Sequence, residues 1–249
     1  MKSFITSMLP DALQDLLKWI PSQAWKAIDW KPLAAQAMVL SARAISNQAP
    51  PAYPPGVTAY DSKNKREEKA NPLQMGNALL TVYFNQLKAE GPFFLDLRAE
   101  RFAWDSLGQK LQWKPNGFWV NLNPSFRHGL GKLYQGFYRN NPDQLKRAAE
   151  NLKLIAPDGT AQEFNELKDL LQKHFGVQNP GQPAAQQFSL SKFRESFHAL
   201  FSHMLRYRRI LPSDFAWLGV ALLTLYSALE DFGCAYDVAP IYLSSELAS

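Results

Sequence analysis

The sequence predicts a mainly α-helical chain with a small antiparallel β meander, an α+β fold, preceded by a helical N-terminal arm. Three observations predict it: two long apolar patterns that meet at Ile210-Leu211-Pro212-Ser213, a run of short aromatic segments between Phe93 and Leu122, and prolines at the even step Pro10, Pro21, Pro32. In the first apolar pattern Leu190, Phe193, Phe197, Leu200, Phe201, Met204 and Leu205 recur at three- and four-residue steps, which places them on one helix face. Lys192, Arg194, Glu195 and Arg206 occupy the other face. Pro212 ends that helix because it has no amide donor, and Ser213 is the residue type that accepts a bond from the free amides of a new one. From Phe215 to Leu229 the second helix carries no charge. Such a helix is buried on most sides or sits in lipid, and about 15 uncharged residues fall short of the ~18 to 20 of a bilayer span. Burial is therefore expected, with Gly233 as the left-handed cap. The short Pro-Ser junction predicts that the two helices pack together as a hairpin at the centre of the core.

The remaining elements follow in chain order. Each early proline precedes helix-compatible sequence, such as Asp11 to Ile20 and Leu33 to Ser46, and proline suits the first turn of a helix. With Trp19, Trp25 and Trp30 nearby, residues 1–46 read as an arm that lies on a membrane interface or packs on the body or a partner. Lys18, Lys26 and Lys31 are too sparse for a lipid-binding basic face, so packing is preferred. Residues 47–72 combine Pro50, Pro51, Pro54, Pro55 and Gly56 with the charged run Lys63 to Lys69, the composition of a linker. A body over 73–249 begins with a helix from Leu73 to Lys88. The β meander occupies 93–122, with turns at Asp105-Ser106-Leu107-Gly108 and Pro115-Asn116-Gly117. Helices are predicted over Ser125 to Arg139, Asp143 to Leu154 and Gln162 to Phe175, with a polar loop from Val177 to Gln187.

Composition restricts the function classes. A net charge of +5 and pI near 9.2 are spread along the chain without bases interleaved with aromatics, so no nucleic-acid partner is expected. The single Cys234 forbids an internal disulfide and a thiolate zinc site. No secretory signal pattern is present at the N-terminus, which makes a cytoplasmic location the expectation, with membrane association as a variant of it.

Few residues offer chemistry. Asp231-Phe232-Gly233 is the tripeptide that holds magnesium in protein kinases, but here it ends an apolar helix and lacks the other kinase loops. His198 and His203 stand five apart and face different ways, while His128 and His174 are isolated, so no metal site is expected. No nucleophile elbow, phosphate loop or dinucleotide fingerprint occurs, and no catalytic residue or cofactor is assigned. Two charged clusters remain as ligand- or anion-binding candidates. Asp96, Arg98 and Arg101, with Glu100, close an apolar strand where a loop could present acid and base groups; rim salt bridges are the commoner use of such charges. Arg206, Arg208 and Arg209 end the amphipathic helix, where they complement its negative terminus or meet an anion.

From Met204 to Pro212 and through the apolar helix to Leu229, the chain resembles the C-terminal helical part of the ABC1/AarF/UbiB atypical kinase-like family. Upstream, Leu122-Asn123-Pro124-Ser125-Phe126-Arg127 with Leu133-Tyr134 is similar to the segment after that family's metal-binding loop. The family's Lys-Xaa-Gly-Gln motif, its alanine-rich nucleotide loop and its His-Xaa-Asp-Xaa-His-Pro-Gly-Asn catalytic loop are missing. Phe94 to Arg101 stands in the place of that last loop and shares Asp96. The resemblance thus implies a kinase-like fragment without ATP chemistry, in surroundings of membranes and isoprenoid lipid metabolism. The expectation is a non-catalytic interaction or scaffold protein that meets a protein partner or a second copy through apolar helices, with peripheral membrane contact at most. The alternative is a divergent kinase-like phosphotransferase, or another enzyme with its site near Asp96 and Arg101.

Overall fold

The computed structural model describes residues 28–61, 70–175 and 185–247. Among them are eight α-helices and three small sheets: α1 (Trp30–Ile45), β1 (Val57–Ala59), α2 (Pro72–Lys88), β2 (Phe93–Phe94), β3 (Phe102–Asp105), β4 (Lys110–Trp113), β5 (Trp119–Val120), α3 (Pro124–Tyr138), α4 (Pro142–Asn151), α5 (Ala161–Phe175), β6 (Gln186–Gln187), α6 (Leu190–Arg206), α7 (Asp214–Phe232), β7 (Ala235–Tyr236) and α8 (Val238–Leu247). The fold is mainly α with small sheets, as the apolar periodicity predicts.

Helix α7, uncharged from Phe215 to Leu229, lies at the centre. Every residue from Asp214 to Tyr226 is buried, as are Ala228 and Leu229. By length and composition this 19-residue helix could cross a membrane, and 78% of its apolar stretch is buried inside the fold. Its cover comes from several sides. The Phe197 ring of α6 fits over Gly219, where a Cβ would come within 2.7 Å of it, and Phe193 meets Tyr226 at 5.0 Å. Phe126 of α3 meets Phe215 edge-on at 4.9 Å, and α2 also packs on α7. The predicted hairpin partner α6 does pack on α7, but it belongs to an outer layer. Phe193, Phe201, His203 and Met204 are buried, whereas Leu190, Phe197, Leu200 and Leu205 remain half-buried. The helix ends as expected on Gly233 at φ +64, whose amide donates to Glu230 O. Its start differs from the expectation. Ser213 makes no side-chain cap bond; Asp214 sits in the first turn instead, where the helix's positive end favours a carboxylate, and receives the Asn123 amide at 2.9 Å.

The aromatic runs form two separate pairs rather than one meander. β2 pairs antiparallel with β5, and β3 with β4. Between β2 and β3 the chain leaves the ladder through a 3-10 turn at Ala99–Arg101. The free edge of β2 is closed by a side chain: buried Gln86 of α2 accepts from the Phe94 amide at 2.9 Å and donates to its carbonyl at 3.3 Å. Gly117, at φ +71, lets the chain pass under α1, since a Cβ there would stand 2.1 Å from Arg43 O.

The linker reading is corrected over 47–61. This stretch supplies β1, which pairs parallel to β4 with Val57 opposite Leu111. Pro50, Pro54 and Val57 are buried, and Tyr53 lies edge-on to Phe94 and Trp113. The prolines lie outside the ladder, in the bend and turn that lead into this edge strand, where a missing donor is tolerated. The charged run at 62–69 lies outside the described residues.

Of the N-terminal arm, the helix predicted at 11–20 lies outside the described residues, and the one predicted at 33–46 is α1. It packs on the body through Leu33, Ala37 and Leu40, and Asp29 N donates to Leu211 O. Arg43 stacks over the Trp119 ring at 3.7 Å. The outward face of α1 carries Ala35, Met38, Val39, Ala42 and Ile45, all exposed.

One buried hydroxyl ties α7 to the extended segment after β2. Thr224 Oγ1 accepts from Leu97 N at 3.0 Å and donates to Leu95 O at 2.8 Å, and Leu97 is fully buried. Thr224→Val keeps the shape and leaves that amide without a partner, so it should cost about 1 to 3 kcal/mol. Thr224→Ser keeps the bonds and loses only a methyl, costing about 1 kcal/mol. Urea unfolding of both variants checks this; a Val variant as stable as the wild type would show that the latch is not needed.

Candidate functional site

Asp96, Arg98 and Arg101 come together as their spacing suggests, but around a closed centre. Asp96 is 1% exposed and follows the fully buried Leu95 out of β2. Its Oδ1 accepts from Arg98 Nε at 2.7 Å, and its Oδ2 from Arg98 Nη2 at 2.8 Å, Arg101 Nε at 2.8 Å and Asn116 Nδ2 at 3.1 Å. Glu100 stands 3.4 Å from Arg98 on the solvent side. Asn116 also accepts from Phe118 N, so the knot fastens the loop before β5 to the segment after β2. A carboxylate with its lone pairs taken by three donor side chains has none left to bind a metal or accept a substrate proton.

The basic cluster at the end of α6 does not converge on one point. Arg209 forks onto Glu163 of α5 through Nε (3.1 Å) and Nη2 (3.2 Å), and Glu163 is 2% exposed. Arg206 reaches Glu166 at 3.1 Å. Arg208, at φ +52, is exposed and turned into the link to α7. Two of the three arginines thus tie α6 to α5. Asp231-Phe232-Gly233 forms the last turn of α7 and its cap. His174 is stacked on Tyr226 and bonded to Ser196, and burial pulls its pKa down to about 4, which keeps it neutral. His203 is buried beside Glu166, and His198 is exposed.

A third place has the form of a site. A groove of about 1130 Å3 runs between the C-terminal end of α2, the outer face of α3 and Tyr242 of α8. Its rim carries Lys88, Arg127, His128, Lys132 and Arg139, against one carboxylate, Glu90, among the described lining residues. Arg127 is 8% exposed and donates from Nη1 to Ala89 O and from Nη2 to Gly91 O, which satisfies carbonyls at the end of α2. Its Nε is buried without a hydrogen-bond partner, and burial lowers its pKa. The reading of the residues alone misses this groove. The only signal in the chain is the polar stripe His128, Lys132, Gln135, Arg139 at helical spacing, which reads equally as a solvated face.

The arrangement separates a structural knot from an open basic groove, and the two respond differently to substitution. Asp96→Asn removes the charge that two arginines share, and hydrogen bonds to charged groups contribute ~1.5 to 3 kcal/mol. The variant should lose about 2 to 3 kcal/mol in denaturant unfolding, whereas exposed Glu100→Gln should stay within about 0.5 kcal/mol. Equal, small losses would mean that the knot contributes nothing to the fold. Compared with known proteins, the chain matches no protein-family model and no curated protein.

Proposed function

We propose that the chain is a non-catalytic interaction protein, a degenerate kinase-like fragment that works by presenting surfaces to a partner. The observation that carries this reading is the state of Asp96. In the resemblance to the kinase-like family, Asp96 stands where a catalytic-loop aspartate would, yet its carboxylate is spent on Arg98, Arg101 and Asn116. Phosphoryl transfer needs a carboxylate free for magnesium or for the substrate hydroxyl, and a lysine on the phosphates. The surface offered in its place is the outward face of α1, where Met38 is 65% and Ile45 86% exposed. A protein partner or a second copy with an apolar helix fits that face better than a polar ligand does. The resemblance further suggests surroundings of membranes and isoprenoid lipids, with peripheral contact rather than insertion of the mostly buried α7.

Thermal unfolding with ATP and magnesium tests the reading. A nucleotide at 100 times its Kd adds about 2.7 kcal/mol, on the order of 5 to 10 °C for a chain of this size. The expected shift is under about 1 °C. A shift that grows with nucleotide concentration and disappears in Asp96→Asn would establish the phosphotransferase alternative instead.

A further inference from the structure

The basic groove lies apart from both the Asp96 knot and the α1 face, and its features are not used by either. We propose that it is a binding site for a phosphate-bearing ligand, held over Arg127, His128 and Lys132.

Four features support the assignment. The first is charge: Lys88, Arg127, Lys132 and Arg139 line the groove, with Glu90 as the one acidic residue among the described residues that line it. The second is Arg127. Its two terminal nitrogens cap the end of α2, which fixes the guanidinium plane, but two carbonyl oxygens do not neutralise a full charge. Among the described residues no carboxylate forms an ion pair with it, although Glu90 and Asp214 act on its charge from further off, and its Nε is buried without a partner. A cation 92% withdrawn from water in this way gains more from an arriving anion than an exposed lysine does, because solvent screening is weaker there.

The third feature is spacing. His128 and Lys132 are four residues apart on α3, so their Cβ atoms stand about 5 to 6 Å from each other on one face. That separation lets two side chains share the oxygens of one phosphate or of two linked ones. The fourth is Gly131, between them. A Cβ there would meet no atom within 4 Å, so packing does not require glycine, and glycine weakens a helix interior. Its effect is to keep the wall between His128 and Lys132 low, with its carbonyl receiving the Tyr242 hydroxyl. The volume of about 1130 Å3 exceeds what a lone phosphate fills, and Leu87, Pro92 and Leu122 supply an apolar wall. The ligand is therefore a phosphate ester with a further body, either a soluble one or the headgroup of a lipid.

Calorimetric titration with inorganic pyrophosphate, and co-sedimentation with phosphatidylcholine vesicles with and without phosphatidic acid, test the site and distinguish its sources. The wild type should bind at least one probe. Lys132→Glu should weaken that binding by about tenfold or more. Gly131→Leu, which changes no charge, should weaken it as well while leaving the chain folded. Lys110→Glu, of the same charge change but outside the groove, should alter it by no more than about twofold. Pyrophosphate binding identifies a soluble phosphate ester; binding confined to vesicles with phosphatidic acid identifies a headgroup. Binding of neither probe, or equal binding by all variants, overturns the assignment.

Discussion

A helix with 15 consecutive uncharged residues has to be covered on most sides, and the rest of this molecule is arranged to cover α7. Each side of that helix is met by a different kind of contact. Phe197 closes on Gly219, Phe126 on Phe215, and the segment after β2 is held by Thr224. The burial that results is largely apolar, at roughly 25 cal/mol for each Å2 removed from water. What makes it specific is polar. Thr224 and Gln86 each satisfy backbone groups that two-residue strands leave open, so the short sheets can be buried without orphaned amides.

The charges follow the same logic. Asp96 gathers two arginines and an asparagine, and Glu163 receives Arg209, so these two buried carboxylates meet counter-charges, while buried Asp214 sits at the positive end of α7 and accepts the Asn123 amide. A buried carboxylate needs such pairing because the cost of withdrawing it from water is several kcal/mol. Arg127 differs: it is buried, its hydrogen-bond partners are neutral carbonyls, Glu90 and Asp214 act on its charge without an ion pair, and it lines a groove with other basic residues. The contrast explains why the most conspicuous charged cluster in the sequence is structural, whereas the groove, with its excess of basic over acidic lining residues, is where we place an external anion.

The helices were legible because their evidence is local. Three- and four-residue spacing marks α2, α3, α5, α6 and α7, and Pro72, Pro124 and Pro142 stand at first turns. Strand pairing was less legible because it depends on partners far away. Nothing near Val57 shows that it will lie beside Leu111, and nothing near Phe94 shows that Gln86 will take the place of a strand. Composition misjudged 47–61 for the same reason, since Tyr53 becomes ordered only against Phe94 and Trp113. At the candidate sites, the nearness of Asp96 to Arg98 and Arg101 was readable, but their mutual satisfaction through Asn116 was not. Glu163 and Glu166 stand 40 or more residues from the arginines they pair with, and the groove draws its lining from residues between Pro51 and Tyr242.

Native-state hydrogen exchange tests the place of α7 most directly. If the fold is assembled around this helix, the amides of Leu222, Leu223 and Leu225 exchange only through global unfolding, with free energies equal to the stability measured in denaturant. Exchange of these amides through partial opening, at free energies well below the global value and below those of Leu79 and Leu80 in α2, would contradict it.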